Sequence, residues 1–284
     1  MSQFCLYMPP LSAIGSYKEM VDYAAAHHIK HLETLNILDL STPDLQVAQE
    51  LKTYADSKGI TFPCVSVGLN LVDDDNTAAI ETLKQYAHVA KILGSPYLHH
   101  TIALNFSDPQ YIAENFEVFY QRGLEAVRQV YDYAAALGIR TIYEDQGFLF
   151  NGCKNFTRFL ADVGRNVGVV ADFGNIQFVD EDVEGFITAF ADRIVHVHAK
   201  DYIVTDSASR EKLPGEYTSK GGHYLQGCLI GAGSVHTADA FRALQAIGYR
   251  GFVALEGDPI GPDEEASFCK NLETVTGYLT TYLS

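Results

Sequence analysis

Apolar and polar residues alternate in eight short segments of the chain, near FCLYM, HLETLN, TFPCVSV, PYLHHT, IRTIYE, VGVVAD, IVHVHAK and GFVALE. A period of two is the mark of a strand whose two faces meet different surroundings. Between these segments the apolar residues fall into the 3.6-residue rhythm of helices, which the pattern predicts over 17–28, 43–58, 76–93, 109–137, 155–163, 183–190, 237–247 and 264–282. Glycines follow the helical stretches at Lys58-Gly59, Leu93-Gly94, Leu137-Gly138 and Ile247-Gly248, and Ser107-Asp108-Pro109 offers a start signal.

Eight strand-helix units in succession favour a closed parallel sheet, the α/β (β/α)8 or TIM barrel, built as a single domain over residues 1–284. An open doubly wound sheet would need a reversal of strand order and usually a glycine-rich phosphate loop, and no G-x-G-x-x-G or Walker motif occurs. One connection is irregular. The stretch 201–234, rich in Gly, Ser and Tyr, separates the seventh strand from its helix, and loops of that length in compact domains usually serve as lids or contact surfaces.

The polar ends of the strands carry the candidate chemistry. Glu144, Asp172, His198 and Glu256 each stand at the last inward position of a strand, where barrel enzymes place their sites. In IVHVHAK, Val195, Val197 and Ala199 share one face, and His196, His198 and Lys200 the other. Val253 and Leu255 likewise oppose Glu256, and Val169 and Ala171 oppose Asp172.

Two glutamates, an aspartate and a histidine form a hard oxygen and nitrogen donor set suited to one divalent ion, Mn²⁺, Mg²⁺, Co²⁺ or Zn²⁺. A salt-bridged cluster is the plainer reading, but Lys200 is the only strand-borne cation nearby, too little for three carboxylates. A substrate with adjacent hydroxyl and carbonyl oxygens could chelate such an ion, and Glu144 and Glu256 could remove and return the proton beside the carbonyl.

His196, two residues deeper on the same face, reads as a supporting residue rather than a ligand. Glu33, Ser66 and His100 end three further strands and are candidates to bind substrate hydroxyls. His99 and His100 must face opposite ways, and His100 is expected to look inward. Lys200 either meets a substrate hydroxyl or phosphate, or pairs with Asp201 or a ligand carboxylate.

Composition narrows the partners. The 284 residues are 47% hydrophobic, enough for a full core, and 36 acidic against 20 basic residues give a formal charge of -16, which disfavours nucleic acid. No apolar run approaches the roughly 20 residues of a membrane span, and MSQFCLYMPP does not read as a signal peptide, so the expectation is a cytoplasmic protein without a membrane partner. Cys5, Cys64, Cys153, Cys228 and Cys269 are scattered and read as reduced thiols. A homo-oligomer is the default expectation, with the Tyr-rich 201–234 segment a candidate contact.

The motifs YEDQG with Glu144, ADFGN with Asp172, HVHAKDY with His198, and the closing block from GAGSVH to GFVALE with Glu256 resemble the xylose-isomerase-like barrel superfamily of sugar isomerases and epimerases. The resemblance implies one divalent cation on these four residues, Glu144 and Glu256 as the acid-base pair, and Asp172 and His198 as purely coordinating groups. It also implies a substrate-pocket role for Glu33. Two positions depart from the ketose 3-epimerases: Asn175 stands where they commonly carry histidine, and Val204 where they carry arginine. Both are substrate-reading positions, so Asn175 is a further candidate to touch substrate, while Lys200-Asp201 and the long loop look more like the inosose-processing and uncharacterised branches.

The expected activity is therefore isomerisation or epimerisation of a sugar, sugar phosphate or related hydroxyketone, a small carbohydrate. An inosose-type dehydratase, a lyase, would share the same first step. An endonuclease-IV-like phosphodiesterase is disfavoured by the acidic balance and the few extra histidines.

Overall fold

The computed structural model describes residues 2–104, 109–257 and 261–284; the start signal at 107–108 lies outside them. The strands are β1 Gln3–Leu6, β2 His31–Thr34, β3 Thr61–Val67, β4 Tyr97–His100, β5 Arg140–Glu144, β6 Gly168–Asp172, β7 Ile194–Ala199, β8 Tyr202–Thr205, β9 Tyr217–Thr218, β10 Tyr224–Gly227 and β11 Phe252–Leu255. Helices α1 Tyr17–Ala26, α2 Leu45–Lys58, α3 Thr77–Leu93, α4 Pro109–Glu114, α5 Phe116–Ala136, α6 Cys153–Val163, α7 Val183–Ala189, α8 Thr237–Ala246 and α9 Glu264–Tyr282 alternate with them.

Strands β1 to β7 pair in chain order, every pair parallel, and β11 closes the ring between β7 and β1. This is the α/β TIM barrel. Outward strand residues such as Val65, Val67, Tyr143, Val169, Ala171, Val197 and Leu255 form one buried cluster with the helices. Inward residues form separate small layers, Cys64, Ile142 and Val170 in one and Cys5, Tyr7 and Ala254 in another.

Local chemistry sets the helix ends. Asp44 caps α2 by accepting from the N–H groups of Gln46 and Val47 at 2.8 and 3.1 Å, and Gly59 ends it at φ 67°, a conformation that costs glycine nothing. The helix expected over 109–137 is interrupted at Asn115 and becomes α4 and α5. The strand alternation also breaks once. Val169 pairs with Ile194 but Val170 pairs with His196, so Val195 is an extra residue and packs inward against the Cys64, Ile142 and Val170 layer. Val195 therefore does not share the outward face of Val197 and Ala199.

The 201–234 segment carries structure that alternation did not reveal, an antiparallel sheet in the order β8-β10-β9. Buried Asp201 anchors it: one carboxylate oxygen accepts from the N–H groups of Tyr202 and Val235, the other from Gly231, Gly233 and the Thr237 hydroxyl, at 2.9 to 3.2 Å. Both ends of the insert are thereby tied to the foot of α8. Among the described residues no helix is long and apolar enough to cross a membrane. All five cysteines are free thiols.

Candidate metal centre

The four strand-end residues converge. Glu144 from β5, Asp172 from β6, His198 from β7 and Glu256 just beyond β11 place one donor atom each within 4.8 Å of one another. His198 Nδ1 sits at the focus, 3.2 Å from Glu144 Oε2, 3.1 Å from Glu256 Oε2 and 4.0 Å from Asp172 Oδ2. Parallel pairing of Asp172 with His198 and of Ala254 with His198 brings these strand ends to one height.

Lys200 Nζ lies 2.5 Å from Glu256 Oε1 and 3.4 Å from Asp172 Oδ2, so it pairs with two of the four strand-end residues. Gly174 makes room for it, since a Cβ there would come within 2.9 Å of the Lys200 stem. Asp172 is held by the loop that follows it: its Oδ1 accepts from the N–H groups of Gly174 and Asn175 at 2.8 and 2.9 Å. Asn175 thus contributes its backbone to the site.

Electrostatics show how crowded the carboxylates are. Burial pushes Asp172 up to about 7 despite the pull of Lys200. Burial also works against ionised Glu256, yet Lys200 and His198 hold it well below the usual carboxylate range. Burial opposes charge on His198 too, but Glu33, Glu144 and Glu256 raise its pKa well above that of a free imidazole. A cation placed among these groups would meet three carboxylates and an imidazole nitrogen. The donor set fits a hard or borderline divalent ion.

A second polar layer lies beneath. Glu33, with no accessible surface, accepts from His196 Nε2 at 2.6 Å, from His198 Nε2 at 3.2 Å and from the Ser66 hydroxyl. Ser66 Oγ in turn meets His99 Nδ1 at 2.8 Å, and His99 Nε2 lies 3.6 Å from Glu144 Oε2. Burial works against the Glu33 charge, but His196 and His198 hold its carboxyl well below the usual range. Burial likewise lowers the His99 pKa and keeps that ring neutral.

The placements correct one sequence expectation and locate three other residues. His100 faces outward, its Nδ1–H donating to the Thr101 carbonyl at 2.9 Å and its Nε2 accepting from the Tyr143 hydroxyl at 2.9 Å, and its neighbour His99 takes the inward face. Glu33 and Ser66 do point inward, one layer below the four donors, where both are buried and bonded to each other and to histidine side chains. His196 is the deeper supporting residue expected, bonded to Glu33.

Two further residues escaped the sequence reading, and a third was weighed there and set aside. Tyr7 stacks on His198 with ring centroids 4.7 Å apart, and its inward position two residues after Cys5 was a usable signal. Asp145 accepts from the Asp172 N–H at 3.1 Å and has its other oxygen buried without a partner. His99 was visible only as the alternative to His100.

The chain belongs to the xylose isomerase-like TIM barrel family, whose model matches residues 20–272. Its fold is similar to that of a xylose isomerase domain protein from Planctomyces limnophilus, with a TM-score of 0.77 at 18% identity over 99% of this chain and 98% of that one. A xylose isomerase-like TIM barrel protein from Mycobacterium smegmatis in complex with magnesium aligns with a TM-score of 0.75 at 16% identity, over 100% and 98% of the two chains. D-Psicose 3-epimerase from Clostridium cellulolyticum H10, solved with D-tagatose, gives 0.73 at 19% identity over 99% of each. No curated protein matches the chain by sequence.

Proposed function

We propose that the protein is a divalent-metal-dependent isomerase or epimerase acting on a sugar, sugar phosphate or related hydroxyketone. The observation that carries this reading is the convergence of Glu144, Asp172, His198 and Glu256 donor atoms within 4.8 Å at the carboxyl ends of the strands. The magnesium complex of one structural neighbour and the sugar complex of another support it.

Glu144, Asp172, His198 and Glu256 would hold the ion. When bound, it supplies polarisation of a carbonyl, which acidifies the adjacent C–H. Glu144 and Glu256 rise from strands on different sides of the barrel, so one can take a proton from a substrate carbon and the other can return it from a different direction. Lys200 pairs with Glu256 and holds that carboxylate in place beside His198. Tyr7 covers the His198 ring and excludes water from that side.

A dehydratase reading shares the same first step, with the partly exposed Lys200 ammonium beside Glu256 as the candidate group to meet a departing hydroxyl. The test that separates the two is deuterium incorporation from D₂O into a panel of ketoses and inosose, followed by NMR, with metal-stripped and metal-restored protein. Metal-dependent exchange with an epimer or aldose as product supports the isomerase. A dehydrated product identifies the lyase, and tight metal binding with no exchange on any panel member removes the support for proton abstraction.

A further inference from the structure

The half of the barrel that brings no ligand to the centre supplies a continuous polar chain instead. Strands β2, β3 and β4 contribute Glu33, Ser66 and His99, and these link His198 on β7 to Glu144 on β5. The direction of every hydrogen bond in this chain follows from one residue. An ionised carboxylate only accepts, so His196 Nε2, His198 Nε2 and the Ser66 hydroxyl must all donate to Glu33.

Ser66 has a single hydrogen, and it is spent on Glu33. The contact of its oxygen with His99 Nδ1 at 2.8 Å must then be an N–H donated by His99. A neutral His99 with its proton on Nδ1 has a bare Nε2, and that atom is buried, lacks a hydrogen-bond partner and faces Glu144 Oε2 at 3.6 Å. By the same logic His198, with its proton on Nε2, can present a bare Nδ1 to Glu144, Glu256 and Asp172.

We propose that Glu33 is the positioning residue of the centre, fixing His198 and His99 in opposite tautomers. His198 then offers a lone pair to the cation, and His99 offers Glu144 no donor that would compete with the cation for its charge. The first half of this inference rests on the metal-centre reading given above; the His99 tautomer does not. Orienting carboxylates beneath ligand histidines fix ring orientation and tautomer in metal proteins generally. Here one carboxylate would set two rings, the second through a serine.

The test is long-range proton–nitrogen correlation NMR on the full chain, histidine-labelled with ¹⁵N, metal-free and loaded with diamagnetic Zn²⁺. Native protein is expected to show His99 protonated on Nδ1 and, with Zn²⁺, His198 protonated on Nε2. Ser66→Ala cuts the relay to His99 and leaves Glu33 with both of its β7 histidines. It should move the His99 proton to Nε2, where it can bond to Glu144, without changing His198. Glu33→Gln should weaken Zn²⁺ binding by roughly 10- to 100-fold, the usual effect of losing such a partner, with Glu33→Asp recovering part of the loss.

His99 carrying its proton on Nε2 in the native protein, or an unchanged His99 in Ser66→Ala, overturns the proposal. Should Glu33→Gln fail to fold, the Ser66→Ala spectra decide alone. Failure of Zn²⁺ to reach His198 would refute the metal centre and with it the His198 half, while the His99 tautomer would still be read from the metal-free spectrum.

Discussion

Two polar layers share the barrel interior and are built from the same residue types, yet only one of them is balanced. In the lower layer Glu33 meets three donors and has no accessible surface. In the upper layer Glu144, Asp172 and Glu256 crowd around His198 and Lys200, and Asp172 is driven toward neutrality. A lone buried carboxylate ringed by donors is a structural element, whereas three carboxylates sharing two cationic side chains leave a place for a further positive charge.

The sharpest way to break this contrast is to remove the proposed acid-base pair. Glu144→Gln or Glu256→Gln should lower the rate of metal-dependent deuterium exchange by about 10²- to 10⁴-fold, measured by NMR on the best substrate of the panel.

Asp201 provides the control, a buried carboxylate as well supplied with donors as Glu33 but remote in role. Asp201→Ala strips the anchor from four backbone N–H groups and the Thr237 hydroxyl. It should cost about 2–4 kcal/mol in denaturant unfolding and open the 201–234 segment to limited proteolysis, with metal affinity preserved. Loss of metal binding along with stability would mean that the insert shapes the upper layer.

Adjacent histidines give a third contrast. His100 is pressed down to about 4, chiefly by burial, and stays neutral in the folded chain well below the pH at which an unfolded histidine takes up a proton. The unfolded chain binds the extra proton between those two values, so stability is complete above about pH 6.5 and declines as pH falls toward 4, by up to about 3 kcal/mol from this residue. Urea unfolding across that window should show the slope, and His100→Phe should flatten it. An unchanged slope would assign the acid sensitivity elsewhere.

Metal binding itself should stabilise the fold by a comparable or smaller amount, about 2.7 kcal/mol at a hundredfold excess over the dissociation constant. Adding Mn²⁺ or Mg²⁺ to stripped protein should raise the thermal midpoint, and the increment should vanish in Asp172→Asn.

Much of this arrangement was legible in the chain. Strand positions followed from alternation, and the four upper donors from their place at the strand ends, because face and position are both local properties. Depth was not legible. Alternation says that Glu33 and Ser66 point inward, but only the pairing of β2 with β3, shifted by one residue between His31 and Glu33, sets their height relative to His196 and His198. The extra residue at Val195 shifts β7 in the same hidden way. His99 and His100 differ by a single register step, which no propensity distinguishes. The β8-β10-β9 sheet escaped notice because its strands are short, largely exposed and held by a carboxylate from outside the sheet.

The measurement that bears most directly on the account is the metal content of the protein after dialysis against Mn²⁺, for the native chain beside Asp172→Asn and Glu33→Gln. A single tightly held ion per chain, lost in Asp172→Asn and weakened in Glu33→Gln, is the predicted result. Manganese bound equally by all three proteins, or by none of them, would contradict the claim that the unbalanced upper layer is a metal centre.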